Sequence, residues 1–208
     1  MNAVTESIRN AIDQTDGLLI TAGAGMGVDS GLPDFRGDNG FWNAYPALKR
    51  AGIDFYKIAN PQAFEANPKQ AWGFYGHRLN LYRNTVPNDG FAILKELSQK
   101  MTNGAFIFTS NVDGQFQKAG FSESQIVECH GSIHHLQCIH CCMNDVHSAN
   151  DFHPVTDDVH CHLVSPFPTC AYCGDVERPN ILMFNDWKWI DYRKKMQQLR
   201  MHQWLEYY

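Results

Sequence analysis

Apolar and polar positions alternate along the chain in two different periods. Val4, Ile8, Ala11 and Ile12 recur at helical spacing, with Thr5 or Ser7 as caps, and predict a helix over residues 4–14. Asp16-Gly17 marks a turn, and the unbroken run Leu18-Leu19-Ile20 to Thr21 predicts a strand. Residues 38–66 show no period and read as irregular. Asn67-Pro68 is a cap followed by proline at the first helical position. The helix it opens extends to about Arg83, with Trp72, Tyr75, Leu79 and Tyr82 on one stripe. Pro87-Asn88-Asp89 opens another, carrying Ala92, Ile93, Leu94 and Leu97. Ala105-Phe106-Ile107-Phe108-Thr109 predicts a buried strand, Ile126–Cys129 a shorter one, and Asn180-Ile181-Leu182-Met183-Phe184 a further one. From Trp187 to Tyr208 the pattern is helical and basic in its middle.

Strands alternating with helices imply an α/β fold whose parallel sheet has helices on both faces. Ligands of such sheets sit beyond the carboxyl ends of the strands. The polar motifs fall at those ends: Gly23 after the first strand, Asn111 after the second, His130 after the third.

The chain has 208 residues, 44% of them hydrophobic and 12% aromatic, enough to bury a core. Its net charge of -5 argues against general affinity for nucleic acid or an anionic membrane. No run reaches the length of a membrane span, and no signal-peptide pattern opens the chain, so a soluble cytoplasmic protein is expected. Seven cysteines, an odd number crowded between Cys129 and Cys173, do not read as a disulfide framework. Cys138-x-x-Cys141 and Cys170-x-x-Cys173 predict a four-sulfur zinc site that leaves no position open for water. Cys142 or Cys161 can stand in as a ligand. The neighbouring histidines read mostly as solvated loop residues, with a mixed Cys/His site as the alternative.

The glycine-rich stretch Thr21–Gly37 ends in Gly31-Leu32-Pro33-Asp34-Phe35-Arg36-Gly37. Glycines after a strand let the backbone turn sharply and pass close to a ligand, and the N–H groups of a following helix can face a phosphate. Thr109-Ser110-Asn111-Val112-Asp113-Gly114 and Glu128-Cys129-His130-Gly131-Ser132 follow the next two strands, then come the two cysteine pairs and Arg178-Pro179. In content and order these landmarks resemble the sirtuins, NAD-dependent protein deacylases.

The resemblance implies a Rossmann-like NAD-binding domain over residues 1–133 and 177–208, with a zinc-ribbon insert at 134–176. It implies NAD and zinc as cofactors and an acyl-lysine protein or peptide as partner, with removal of the acyl group releasing nicotinamide and O-acyl-ADP-ribose. His130 would be the general base, a role that suits a side chain titrating near neutral pH. Asn111 would orient ribose or water, and Asp113 would bind the nicotinamide carboxamide. Gly23, Ala24, Gly25, Asp34, Phe35, Arg36 and Ser110 would complete the cofactor site. Ile181, Leu182, Met183 and Phe184 would wall the peptide cleft and offer it backbone hydrogen bonds. Tyr75-x-x-Arg78 is similar to the motif of sirtuins that remove malonyl, succinyl or glutaryl groups.

The chain departs from the family at Ser110, where glutamine is usual, at Gly27, where serine is common, and at Asn185-Asp186, where Gly-Glu is usual. The family's Gly-Thr-Ser turn and later strands do not follow before Tyr208, so the resemblance implies a nucleotide fold incomplete at its C-terminal end. Two other functions stay open on these residues: NAD-dependent ADP-ribosyl transfer or NAD hydrolysis, and a non-catalytic zinc-stabilised interaction module.

Overall fold

Three strands in parallel register bring their carboxyl ends to one edge. They are β1 (Leu18–Ala22), β2 (Ala105–Thr109) and β3 (Ile126–Glu128), in spatial order β1-β2-β3. Ala22 lies opposite Thr109, and Thr109 opposite Glu128. The computed structural model describes residues 3–33 and 38–207.

The side-chain alternation of a strand decides what each face of this sheet meets. Leu18, Ile20, Ala105, Ile107 and Ile126 belong to one core, completed by Phe91 from the Asp89–Lys100 helix and by Phe116 and Phe121. Phe106 points the other way and packs 5.8 Å from the ring of Trp204, on the C-terminal helix Tyr192–Glu206. That helix lies along β3 and is tied to it by buried Glu128, which pairs with Arg193, while Gln197 accepts from the Glu128 N–H at 3.1 Å. Helices thus lie on both faces, as the alternating pattern implies, although Leu19 of β1, beside Phe106, stays exposed.

A second sheet, in order β5-β4-β8, is antiparallel. It contains β4 (Gly131–Cys138), β5 (Val146–Ser148) and β8 (Glu177–Ile181). A small ladder, β6 (Thr156–Asp157) with β7 (His162–Leu163), lies against the Pro68–Asn84 helix. Gly73 of that helix makes the contact possible, since a Cβ there would come 2.1 Å from the Cys161 carbonyl oxygen. The larger core joins Phe41, Leu48, Phe64, Trp72, Phe74 and Leu79 to Ile133, Leu136 and Leu163. The helices preceding Thr85 therefore pack with the cysteine-bearing segment.

Two expectations change. Residues 38–66 are not irregular but form four short helices, Asp38–Ala44, Pro46–Arg50, Phe55–Ile58 and Pro61–Ala66. Asp54 and Asn60 cap the last two through their side chains. The strand expected at 180–184 lies earlier, at Glu177–Ile181, because β4 recruits it as a partner. Pro179 is tolerated there since β8 is an edge strand. The C-terminal helix begins at Tyr192 rather than Trp187.

Candidate functional site

Register alone places the three strand tips side by side, and hydrogen bonds then fix them. The Ser110 N–H donates to the Ala22 carbonyl at 3.0 Å, and the Cys129 N–H to the Thr109 carbonyl at 2.9 Å. Asn111 turns inward: its N–H donates to Thr109 Oγ1 at 3.0 Å and its side-chain Nδ2 to the Gly23 carbonyl at 2.9 Å, which ties the glycine loop to the β2 tip. A cavity of about 670 Å³ opens above these tips. Ala24, Ser110, Asn111, Asp113 and His130 line one part of it, and Tyr75, Arg78 and Ile181–Phe184 another.

His130 Nδ1 lies 3.2 Å from the Ser110 carbonyl oxygen. A carbonyl only accepts, so Nδ1 carries the proton and Nε2 is left with a lone pair. Ser110 orients the histidine through its backbone, which makes its departure from glutamine immaterial to that contact. Gly131, at φ +80°, is where β8 crosses closest. A Cβ there would sit 2.1 Å from the Asn180 carbonyl oxygen, so only glycine permits the approach. That approach lets the Leu182 N–H donate to the His130 carbonyl at 2.9 Å.

Asp113 is buried, and its Oδ1 accepts from the Gln115 N–H at 3.0 Å. Desolvation raises its pKa, and that hydrogen bond opposes the rise. His134 holds the loop from outside, with Nε2 donating to the Asp113 carbonyl at 2.9 Å, and burial pushes its pKa down.

The wall segment 182–184 leaves the sheet and folds back. Arg178 and Asp186 form a fully buried ion pair at 2.9 Å beneath it, and the Phe184 N–H donates to the Ala59 carbonyl at 2.9 Å. The Leu182 and Phe184 N–H groups are therefore already engaged. The expectation that both offer donors to a peptide does not hold for those two groups.

Tyr75 and Arg78 share one face of the Pro68–Asn84 helix, as the spacing requires. Both are buried, so Arg78 is not a solvent-exposed cation. Burial opposes its charge, but its pKa is still raised above the ordinary arginine value beside the tyrosine oxygens, one of which accepts its hydrogen bonds, so the guanidinium is charged at neutral pH. Burial pushes the Tyr75 phenol up to about 12.

Of the expected cofactor residues, Asp34, Phe35 and Arg36 lie outside the described residues. Gly23 contributes its carbonyl to Asn111, and Gly25 begins a helix that ends at Val28. The Met26 and Gly27 N–H groups turn back to the Gly23 and Ala24 carbonyls.

The metal assignment changes by one residue. The sulfurs of Cys138, Cys142, Cys170 and Cys173 all lie within 4.8 Å of one another, and Cys138 and Cys173 are 3.6 Å apart. Cys141, the expected ligand, points elsewhere, donating to the Lys188 carbonyl at 2.9 Å. Cys161 is buried between β6 and β7, away from the cluster. Sulfurs around a tetrahedral zinc ion at about 2.3 Å lie about 3.8 Å apart. The cluster fits that ion, and hydrogen bonding to the Cys173 and Cys138 thiols pushes the Cys142 thiol up to about 12, which a divalent cation would reverse.

A profile of the Sir2 family matches residues 23–205. The chain belongs to the Sir2 family. An NAD-dependent protein deacylase of Aquifex aeolicus is 31% identical over 81% of this Sir2 chain and 62% of its own length. One of Pyrococcus furiosus is 32% identical over 79% of this chain and 59% of its own. This Sir2 chain thus spans about three fifths of the length of the curated relatives it matches. A crystal structure of a Sir2 homologue in complex with NAD superposes with a TM-score of 0.66 at 28% identity, covering 87% of this chain and 62% of that one.

One residue lining the Sir2 cavity and two that brace its wall carry no motif in the sequence. Tyr82 stands on the apolar stripe of its helix, yet its phenol meets Arg78. Gln115 and His134 brace the Asp113 loop from positions with no motif. The i,i+4 spacing of Arg78 and Tyr82 could have shown the first. The other two contacts depend on tertiary folding alone.

Proposed function

We propose that this Sir2 chain carries the acyl-transfer site of an NAD-dependent protein-lysine deacylase, which releases nicotinamide and O-acyl-ADP-ribose. The observation that carries the reading is His130. Its Nδ1–H is fixed on the Ser110 carbonyl, which leaves Nε2 as a base at the rim of a cavity floored by Asn111 and Asp113. The donor set suits NAD: a desolvated carboxyl group and a side-chain amide beside apolar and aromatic walls match a carboxamide, a ribose and a flat ring. When bound, NAD supplies an anomeric carbon that accepts the acyl oxygen, and a ribose hydroxyl that must lose a proton.

His130 Nε2 takes that proton. Asn111 holds the glycine loop through Gly23. Leu182, Met183 and Phe184 exclude water from the opposite side and face an acyl-lysine side chain entering between the two sheets. Among acyl groups the cavity favours one ending in a carboxylate, because Arg78 presents a charged planar fork from an aromatic wall. The four thiols of Cys138, Cys142, Cys170 and Cys173 hold a structural zinc ion. No helix among the described residues is long and apolar enough to cross a membrane. Seven cysteines free of disulfides suit a reducing cytoplasm.

The test is mass spectrometry of the chain with NAD and acetyl- or succinyl-lysine peptides. O-acyl-ADP-ribose is the expected product, and His130→Ala lowers its rate by roughly 10²- to 10⁴-fold. A mass gain of ADP-ribose on protein would favour ADP-ribosyl transfer. An absence of NAD consumption would favour an interaction module. Unchanged turnover of the His130 variant would end its role as base.

A further inference from the structure

Tyr82 follows Arg78 by one turn on the Pro68–Asn84 helix. Two donors of the guanidinium converge on its single phenol oxygen, Nε at 3.1 Å and Nη2 at 2.7 Å. An arginine side chain turns about four bonds, and this two-point contact fixes the plane of its head. Phe74 and Tyr82 present their rings 5.3 Å from the guanidinium carbon, and Tyr75 at 5.7 Å. Tyr82 is itself held in place, since its backbone carbonyl accepts from Gln115 Nε2 at 3.3 Å and Gln115 is anchored on Asp113.

A phenol oxygen has two lone pairs and one proton. Both lone pairs of Tyr82 Oη face Arg78, so its O–H points elsewhere, and Tyr82 lines the cavity beside Arg78. Burial raises the pKa of the phenol, which therefore keeps its proton at neutral pH. A guanidinium and a phenol O–H held in one orientation make a site for a carboxylate, with the charge from one and a second donor from the other.

We propose that Tyr82 is a specificity-determining residue of this cavity: it fixes the plane of Arg78 and adds its own O–H, so that the two together read an acyl group ending in a carboxylate. The proposal rests on the deacylase reading given above. It differs from the Tyr75-x-x-Arg78 motif in assigning the second donor, and the orientation of the first, to the tyrosine one turn further on.

The experiment titrates the 208-residue chain, without NAD so that no turnover occurs, with two peptides identical except for succinyl or acetyl on one lysine. The readout is the ratio of the two dissociation constants. Tyr82→Phe keeps the ring and removes the oxygen, and the succinyl preference is expected to fall about tenfold, the order of one charge-assisted hydrogen bond. The same variant should lose the protected Arg78 Nε–H resonance in a nitrogen-15 spectrum, which a change elsewhere in the fold would leave in place. Arg78→Met is the reference for complete loss of preference.

A Tyr82→Phe ratio within about twofold of wild type, with Arg78→Met having lost it, overturns the role of Tyr82 and leaves the deacylase reading standing. A wild-type chain that binds both peptides alike, or neither, ends the carboxylate reading and the proposal with it. If Tyr82→Phe melts below the assay temperature, the titrations of wild type and of Tyr82→Phe are repeated at a temperature where both are folded. An unchanged preference in that variant overturns the proposal, and a lost one supports it.

Discussion

Asp113 is held at the floor of the cavity with its carboxyl desolvated, and its pKa is raised above the ordinary 3.8. A carboxyl group of this kind keeps its proton more tightly in the folded chain than in the unfolded one. Stability therefore falls as pH rises through the window above 3.8 and stays lowered at neutral pH. Asp113→Asn removes the charge and keeps an oxygen that can accept the Gln115 N–H. It is expected to raise the melting temperature at pH 7, with the gain shrinking as pH falls through that window and vanishing below it. Thermal melts of both chains across that range check the claim, and a lower melting temperature for the variant at pH 7 would show that the carboxylate stabilises the fold. The sign matters for function, because a group that opposes folding while facing a cavity has its use in binding.

At the scale of elements, the wall segment 182–184 depends on what lies beneath it. Asp186 accepts from Arg178 Nη2 at 2.9 Å and from the Lys188 N–H at 3.1 Å, and Arg178 also donates to the Ile181 carbonyl at 3.3 Å. Both side chains are out of water, so removing one leaves the other charge buried and unpaired. Arg178→Met or Asp186→Asn should cost about 3–5 kcal/mol, read as a lower urea midpoint at unchanged slope. A shift below about 1 kcal/mol, the range of a surface ion pair, would mean that water reaches the pair. The sequence showed the apolar run but not this clamp, since Arg178 and Asp186 meet only after β4 has paired with β8. The strand tips were more legible. Each of the first three strands is a mainly apolar run followed by a polar motif, buried in β2 and β3 and half-buried in β1, and parallel packing then brings Gly23, Asn111 and His130 together without further information. The four helices between 38 and 66 were not legible because each covers at most two turns, too short for an apolar stripe to repeat. Of the cysteines, the pairing of the two clusters was readable. Whether Cys141 or Cys142 joins it depends on left-handed backbone at Cys141, Met143 and Asn144, which spacing does not reveal.

In the whole molecule, the same two strands reach both the strand tips and the cysteine cluster. β4 starts at Gly131 beside His130 and ends at Cys138, and β8 runs from Glu177, opposite Cys138, to Ile181 in the cavity wall. Trp72 reports on this unit from inside: its Nε1 donates to the Glu177 carbonyl at 2.8 Å, and Phe152 packs 4.8 Å from its ring. A zinc ion on the four sulfurs closes one end of the two strands, and removing it frees that end. Chelation should therefore lower the melting temperature by roughly 10 °C or more and shift Trp72 fluorescence to longer wavelength as the ring meets water. Cys142→Ser should act in the same direction and lose bound zinc, whereas Cys141→Ser, whose thiol bonds only to the Lys188 carbonyl, should retain one zinc per chain. Metal analysis of the two purified variants separates the assignments. A Cys141 variant without zinc beside a Cys142 variant with it would restore the regular Cys-x-x-Cys pair. It would also place Cys142 outside the cluster and require the turn after Cys138 to tighten by one residue when metal binds.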